Sequence, residues 1–306
     1  MINVSKNKPD FSIIIATYNR PQKLNECIFQ LCEQAKGSGR LEIVLVNDGG
    51  AHIPQGERSS SSRNVTIKYF ELKHSGPAVA RNLCIKEAAG DILIFLDDDA
   101  IPEKNWLACL KRAWHDYPEL DGIGGYTICG PQDSICSQAN SRLFNWYLSE
   151  SINGSDRYFL SSCNASYKKS SLLKIGGFDA EFKNASGEDR DLNIRLLRSG
   201  GRLRLDNRIL VRHDKDLSFA EFVRKHFSYG RTAHKIYERH PGFEPMTIKS
   251  YFNLFKNIPG ENKGALNNSL LLSLLVICQL ATILGYLCGI KFKKAENGRT
   301  AVDKKA

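Results

Sequence analysis

The sequence predicts an α/β fold, a doubly wound and mostly parallel sheet, followed by a C-terminal helical region that associates with a membrane. Three observations predict it. Short apolar, β-branched runs alternate with helically spaced apolar residues over the first hundred positions. Polar residues follow the carboxyl ends of several of these runs. A 21-residue stretch near the C-terminus, Leu270 to Ile290, carries no charge.

The first βα unit begins at Phe11–Thr17, a run typical of a strand that is buried on both faces. Pro21 stands where a helix can begin, because its missing N–H is not needed in a first turn. The next predicted strand is Leu41–Val46. Apolar residues between the two strands repeat at helical spacing: Leu24, Ile28 and Leu31.

The following units continue the alternation. Residues 51–64 are rich in Ser, Arg and Gly and are predicted to form a loop. Thr66–Leu72 is a third strand, and Gly76-Pro77 opens a helix that reaches about Ala89. Ile92–Leu96 is a fourth strand that leads directly into Asp97-Asp98-Asp99. The order of elements therefore favours right-handed βαβ crossovers and parallel pairing.

Three polar groups should converge at one edge of this sheet: Thr17–Arg20, Asp48 and Asp97–Asp99. Ligands of doubly wound sheets bind beyond the carboxyl ends of the strands. In an extended turn Asp97 and Asp99 point to one side and Asp98 to the other. The carboxylates of Asp97 and Asp99 could bind Mg²⁺ or Mn²⁺ together with phosphate oxygens. The alternative is that the three residues form a solvated acidic turn.

Two other candidates have equally simple structural explanations. Asp48 precedes two glycines and can accept a base N–H, or it can only form a turn. Arg81, in the first turns of the helix opened by Gly76-Pro77, can contact a base or phosphate, or it can be a surface residue.

Missing motifs and composition narrow the function further. No GxGxxG follows the first strand and no GxxxxGK[ST] occurs, which disfavours dinucleotide oxidoreductases and P-loop enzymes. The net charge of +10 resides wholly in residues 202–306, because residues 1–201 hold equal numbers of acidic and basic side chains. Such a basic third indicates an anionic partner. The nine cysteines lie mostly in apolar stretches and indicate reduced, buried thiols.

Several short motifs together resemble family-two glycosyltransferases of GT-A fold, which transfer sugars from nucleotide-diphosphate donors with inversion. The resemblance spans about residues 11–215. Its carriers are Ser12-Ile13-Ile14-Ile15-Ala16-Thr17-Tyr18-Asn19-Arg20, Val46-Asn47-Asp48-Gly49, Gly76-Pro77-Ala78-Val79-Ala80-Arg81-Asn82, Phe95-Leu96-Asp97-Asp98-Asp99, Gly176-Gly177-Phe178-Asp179 and Gly187-Glu188-Asp189-Arg190-Asp191-Leu192. The chain has Asn47 where many relatives have a first Asp.

The resemblance implies a role for each matching residue. Asp189 is the expected catalytic base, and Asp99 and His213 are the expected ligands of Mn²⁺ or Mg²⁺, with a surface histidine as the alternative for His213. Thr17, Asp48 and Arg81 are expected to hold the base and ribose. The full nucleotide-sugar-binding set adds Tyr18, Arg20, Asp97 and Asp98, and the expected acceptor-side residues are Asn164, Gly177 and Glu188. A helix beginning at Asp189 should keep that carboxylate ionised at an ordinary pKa.

The basic third is expected to contact a membrane rather than nucleic acid, since no nucleic-acid-binding module is present. An aromatic and basic helix starts near Phe219, and the uncharged segment follows it. That segment spans the bilayer, forms a re-entrant or interfacial hairpin, or, as the alternative to a membrane segment, is a buried core helix. Gly285 and Gly289 have the GxxxG spacing of a possible homodimer. The expected division is 1–215 catalytic domain, 216–268 interfacial helical region, 269–291 apolar segment and 292–306 basic tail.

These inferences predict an inverting, metal-dependent glycosyltransferase at the cytoplasmic face of the cell membrane. Its donor would be a nucleotide-diphosphate sugar and its acceptor a hydroxyl of a lipid-linked or cell-surface glycan. The alternatives are a non-catalytic membrane-associated protein that retains the fold, and a sugar-nucleotide pyrophosphorylase. The latter would need a glycine-rich and basic phosphate loop where this chain has Thr17-Tyr18-Asn19-Arg20.

Overall fold

The computed structural model describes residues 9–36, 40–53, 64–129, 132–151, 159–183, 186–213, 216–243, 253–254 and 265–303. The chain divides into two compact units. The first unit contains residues Met1–Ile128 and Ser151–Asp214, and the second contains Cys129–Glu150 and Lys215–Ala306. The first holds the sheet, and the second is helical in its described part.

Up to Leu96, the first half of the first unit follows the predicted order, with boundaries that differ by at most two residues. Its strands are β1 (Phe11–Thr17), β2 (Leu41–Asn47), β3 (Val65–Glu71), β4 (Ile92–Leu96) and β5 (Ala100–Pro102). Its helices are α1 (Pro21–Ala35), α2 (Pro77–Glu87) and α3 (Trp106–Asp116). Strand β5 and helix α3 were not predicted. The predicted loop at 51–64 lies largely outside the described residues.

The later elements of the chain complete the sheet and add helices. They are β6 (Gly122–Ile128), α4 (Ile135–Ser151), β7 (Asn164–Lys168), α5 (Lys169–Lys174), α6 (Glu188–Arg198), β8 (Leu203–His213), α7 (Phe219–Arg239) and α8 (Ala265–Asp303). Residues 126–160, for which the sequence pattern predicts no elements, contain the end of β6 and the 17-residue helix α4.

The eight strands form one sheet in the order β3-β2-β1-β4-β7-β6-β8-β5. β1 pairs in parallel with β2 and β4, β2 with β3, and β6 with β8. β7 is antiparallel to both of its neighbours, and β5 is antiparallel to β8. Because β1, β2 and β4 are parallel, their carboxyl ends meet at one edge of the sheet.

A continuous apolar core explains why these strands form. β1 and β2 are buried along both faces, as their β-branched runs predict. Helices α1 and α3 pack on one face through Leu24, Leu31, Trp106 and Leu110, all at most 1% exposed. The core thus holds the strand ends, and the polar residues that follow them, in fixed positions.

In the second unit α4, α7 and α8 share an apolar cluster that includes Leu143, Phe222, Leu271, Leu275 and Cys278. The predicted amphipathic helix begins at Phe219 and extends to Arg239. Ser218 and Glu221 form a capping box at its start. Within α8, residues Asn268–Ile290 are long and apolar enough to cross a membrane.

Candidate active site

The carboxyl ends of β1, β2 and β4 bring the predicted polar groups together. Thr17 ends β1, Asp48 follows β2, and Asp97 follows β4. The backbone N–H of Asp48 donates to the carbonyl oxygen of Thr17 at 2.9 Å. The hydroxyl of Thr17 donates to Asp98 Oδ2 at 2.5 Å. Thr17 therefore connects the strand ends that carry the predicted acidic residues.

Arg20 neutralises part of the acidic triplet. Its Nη1 donates to Asp98 Oδ1 at 3.0 Å and to Asp99 Oδ2 at 2.8 Å. Asp98 is 3% exposed, and burial raises its pKa to about 6 despite the hydrogen bond from Thr17 and the charge of Arg20. Its two oxygens serve Thr17 and Arg20, so Asp98 faces the β1 side of the site.

Asp97 and Asp99 both face the imidazole of His213, the last residue of β8. Asp97 Oδ2 lies 3.7 Å from His213 Nε2, and Asp99 Oδ1 lies 3.6 Å from Nδ1. Asp99 Oδ1 is buried and has no hydrogen-bond partner among the described residues. Carboxylates and an imidazole, with one of the carboxylate oxygens buried and unsatisfied, are donor types that suit a divalent cation such as Mn²⁺.

The same place contains a thiol that sequence reasoning did not assign. Ligand atoms of Asp97, Cys163 and His213 all lie within 4.8 Å of one another. Burial opposes protonation of His213, but the nearby carboxylates of Asp97 and Asp99 raise the pKa of His213 to about 10. The sequence gives little indication that Cys163 has a function. It belongs to the stretch Ser161–Ser166, and backbone pairing is a sufficient explanation for the residues of that stretch.

Arg81 joins the acidic triplet to α6. Its guanidinium is 8% exposed and donates from Nη1 to Glu188 Oε1 at 2.7 Å. Nη2 donates to Asp97 Oδ1 at 3.3 Å. Burial acts against the charge of Asp97, but His213 and Arg81 lower its pKa below the ordinary value. The structure thus buries Arg81 between two carboxylates, and Glu188, expected on the acceptor side, is its ion-pair partner.

Asp189 occupies the first turn of α6, next to Glu188. Its Oδ1 accepts the backbone N–H of Arg190 at 2.8 Å, and its Oδ2 accepts that of Ser162 at 3.4 Å. Burial and the charge of Glu188 raise the pKa of Asp189 to about 7. The expectation of an ordinary pKa is therefore wrong, because burial beside a second carboxylate outweighs the helix N-terminus. A carboxyl group of this pKa suits general-base catalysis near neutral pH.

Asp48 has a defined structural task. Its carboxylate accepts the backbone N–H groups of Ser75 and Gly76, each at 2.8 Å, ahead of α2. His74 Nδ1 lies 3.2 Å from Asp48 Oδ2, and the His74 ring stacks on Tyr18 with centroids 4.3 Å apart. Tyr18 is 45% exposed. An accessible aromatic pair therefore lies next to the buried Asp48.

Two residues expected on the acceptor side have structural contacts instead. Asn164 is 2% exposed, its oxygen accepts from the indole N–H of Trp106, and its amide N–H groups donate to carbonyls of Tyr126 and Ile209. The amide of Asn164 therefore stabilises the packing of the sheet through these hydrogen bonds. Gly177 has φ +71° and packs on Asn82, where a Cβ atom would lie 2.5 Å from Oδ1. Its small size is required for this packing.

The described geometry thus gathers the predicted nucleotide, metal and base residues around one network. Asp189 is linked through its neighbour Glu188 to Arg81, and Arg81 is linked to Asp97. Asp97 and Asp99 then meet at His213. Asp189 and the cluster of Asp97, Asp99 and His213 therefore lie at the two ends of a chain of contacts that runs through the buried Arg81–Glu188 pair.

Curated relatives match the sequence of this chain at low identity. The chain is 27% identical over 243 residues to the pre-mycofactocin glycosyltransferase of Mycobacterium tuberculosis, covering 76% of this chain and 48% of that protein. It thus spans about half the length of that relative. It is 24% identical over 291 residues to a dolichyl N-acetyl-alpha-D-glucosaminyl phosphate 3-beta-D-2,3-diacetamido-2,3-dideoxy-beta-D-glucuronosyltransferase of Methanococcus voltae, covering 89% of this chain and 85% of that one.

Solved structures show the same fold. The mannosyltransferase PcManGT of Pyrobaculum calidifontis, solved with GDP-Man and Mn²⁺, has a TM-score of 0.60 at 16% identity, covering 94% of this chain and 80% of its own. S. aureus TarS 1–349 has a TM-score of 0.52 at 19% identity, covering 94% and 92%. These likenesses confirm the GT-A-like fold.

The family model described as Glycosyl transferase family 2 matches residues 12–176. The match begins within β1 and ends after α5, so it includes the three strand ends that carry Thr17, Asp48 and Asp97. It covers more than half of the 306 residues. The chain therefore belongs to glycosyl transferase family 2.

Proposed function

We propose that the protein is an inverting glycosyltransferase that moves a sugar from a nucleotide-diphosphate donor to a hydroxyl of a lipid-linked or cell-surface glycan. The observation that carries this proposal is Asp189, a carboxyl group with a pKa of about 7, joined through Glu188 and Arg81 to the Asp97–Asp99 cluster. The family match and the two curated relatives named above support a sugar transfer.

The nucleotide would bind where β1 and β2 end. Tyr18 and His74 present an aromatic surface on which a base can stack, and Asp48 lies beside it. Thr17 and Arg20 orient Asp98 behind this surface. Arg81 supplies positive charge to the region of the diphosphate while remaining paired with its two carboxylates.

Asp97, Asp99 and His213 would hold a divalent cation, Mn²⁺ or Mg²⁺, with Cys163 beside them. When bound, such a cation stabilises the negative charge that develops on the departing diphosphate. The unsatisfied Asp99 Oδ1 is the observation of this chain that supports the assignment.

Asp189 would take the proton of the acceptor hydroxyl as that oxygen attacks the anomeric carbon. The new C–O bond forms on the face opposite the breaking bond, and the electron pair of the breaking bond leaves with the nucleoside diphosphate. Inversion follows from this single displacement. A base whose pKa lies near the working pH is ionised in a large fraction of the protein molecules, and it is still basic enough to accept the proton.

The test compares Asp189→Asn with the wild-type protein. Asn keeps the side chain's size and can still accept the N–H of Ser162, but it cannot take a proton. Transfer, measured as released nucleoside diphosphate, should fall at least 100-fold, while donor binding measured by calorimetry is retained. Unchanged turnover would remove Asp189 from the mechanism. The absence of product from the wild-type protein with any donor would favour the non-catalytic alternative.

The proposed location is the cell membrane, with residues 1–215 as a catalytic domain on the cytoplasmic side and anionic lipids as partners. The apolar segment Asn268–Ile290 and the basic C-terminal third support it. The name of the Methanococcus voltae relative specifies a dolichyl phosphate substrate. The GxxxG spacing no longer argues for a homodimer, because a Cβ atom at Gly285 would overlap the carbonyl oxygen of Phe227 on α7 of the same chain.

A further inference from the structure

The apolar segment of α8 has two different faces. One face packs on α7, and the other carries exposed apolar side chains. Exposed residues recur at intervals of four and three, which places them in one stripe along the helix. The stripe consists of Val276, Leu280, Ile283 and Leu287, which are 48–55% exposed, with Leu284 beside it. The segment contains no charge.

Helix α7 lies along this segment at very short range. A Cβ atom at Gly230 would overlap the carbonyl oxygen of Thr282, just as one at Gly285 would overlap that of Phe227. The hydroxyl of Thr282 also donates to the carbonyl oxygen of His226 at 3.3 Å. If α8 enters a membrane, α7 must therefore lie at nearly the same position relative to that membrane.

This packing conflicts with a spanning orientation. The contact of His226 with Thr282 places Arg224 and Lys225 within about 5 Å of the level of the segment's midpoint, at a rise of about 1.5 Å per residue. Arg224 is exposed. If α8 crossed the bilayer along its normal, these two cations would enter the hydrocarbon core, which membrane helices avoid.

An orientation parallel to the bilayer removes the conflict. The stripe of α8 then enters the boundary between headgroups and acyl chains, where amphipathic helices bury their apolar face by about 5–10 Å. Arg224 and Arg231, both exposed and two helical turns apart on α7, remain at the level of the headgroups. Anionic headgroups complement their charge.

We propose that the α7–α8 pair is a monotopic membrane-docking surface, in which the Val276–Leu287 stripe lies in one leaflet of an anionic bilayer and does not span it. Both ends of the apolar segment then lie on the same side of the membrane. The proposal does not depend on the chemistry at Asp189, because every contact that carries it lies within the second unit.

Vesicle flotation of the full-length protein tests the surface. Leu280→Lys should lower affinity for vesicles containing phosphatidylglycerol at least tenfold, which corresponds to about 1.4 kcal/mol. The matched control is Leu173→Lys, the same change at a 56% exposed leucine of α5, and it should leave affinity unchanged. Added salt should weaken binding, and vesicles of phosphatidylcholine alone should bind less. Equal loss in both variants would overturn the proposal.

Depth measurement tests the orientation. Tryptophan is placed singly at Val276, Leu280 and Leu287, and its quenching by lipids brominated at different depths is compared after subtraction of the native signal. A parallel helix predicts equal, shallow depths. A spanning helix predicts depths that differ by about 16 Å between the first and last positions, and that result would refute the proposal.

A second copy of the chain is the competing occupant of the stripe. If wild-type protein failed to float with anionic vesicles, and Leu280→Lys converted a dimer to a monomer in light scattering, the surface would be a protein interface and the proposal would be wrong. Ile283→Ser, a milder change in the same stripe, is measured in parallel, with circular dichroism as the check on folding. Loss of flotation by a folded Ile283→Ser variant supports the membrane.

Discussion

Replacing Glu188 by Gln should destabilise the first unit far more than breaking an ordinary ion pair. The Arg81–Glu188 pair has a 2.7 Å contact and side chains that are 8% and 4% exposed. Removing one partner of a buried pair costs about 3–5 kcal/mol, because a charge remains buried without its counterpart. Gln still accepts a hydrogen bond from Arg81, and Arg81 keeps its contact with Asp97, so we expect the lower end, about 3 kcal/mol.

The matched control is Glu33→Gln, which breaks the exposed pair between Glu33 and Lys36. That pair should contribute only about 0.2–1 kcal/mol, since both side chains remain in water. In thermal unfolding, about 3 kcal/mol corresponds to a decrease in Tm of roughly 6–12 °C for a unit of this size. Urea midpoints of the two variants give an independent comparison.

The same variant has an electrostatic signature. Glu188 is, after burial, the main cause of the raised pKa of Asp189. Removing its charge lowers that pKa, so the acidic limb of the transfer rate should move to lower pH. A Glu188→Gln protein that unfolds at the same midpoint as Glu33→Gln, with an unshifted pH profile, would refute the assignment of a buried ion-pair chain.

Three further results are expected. In the wild-type protein, Asp189 must be ionised to accept a proton, so kcat/KM should rise with pH through about 7 and fall about fivefold from pH 7 to pH 6; a flat profile over pH 5–8 would contradict this role. Cys163→Ser should weaken Mn²⁺ more than Mg²⁺ in calorimetric titrations, because a sulfur ligand favours the softer ion; equal changes would place the thiol outside the site. Gly285→Ala should lower the free energy of unfolding of the second unit by about 1–3 kcal/mol, measured by urea denaturation, since its Cβ would overlap the carbonyl oxygen of Phe227. Gly289→Ala, whose Cβ would lie 3.3 Å from the carbonyl oxygen of Arg231, should cost less, and equal stability of both variants would contradict the close packing.

The front half of the fold was predictable because its signals are local. Runs such as Phe11–Thr17 and Ile92–Leu96 are apolar throughout, and a strand buried on both faces requires this composition. The structure reproduces both runs without a change of boundary. Helix α4, within region 126–160, was not predictable from the sequence. Its apolar and polar residues do not separate clearly onto two faces of the helix, and its apolar residues are buried by contact with α7 and α8, which come much later in the chain.

The predicted site residues met with different outcomes. Thr17, Asp97 and Asp99 lie where the strand-end rule places them. Asn164 and Gly177 were expected on the acceptor side, but both have structural roles. The amide of Asn164 is hydrogen-bonded to a neighbouring strand, and Gly177 packs against Asn82 where a side chain would not fit. Hydrogen-bond partners come from residues distant in the chain, and a motif does not specify them.

The amino-acid sequence by itself determined the alternation of strands and helices, the arrival of carboxylates at one edge of the sheet, and the uncharged length of the C-terminal helix, because all three depend on composition and spacing along the chain. Only the tertiary structure decided that Glu188 pairs with Arg81, that burial and the charge of Glu188 raise the pKa of Asp189, and that α7 runs beside the apolar segment of α8. Burial and charge pairing depend on which groups become neighbours in three dimensions, and folding brings together residues as far apart in the chain as Arg81 and Glu188.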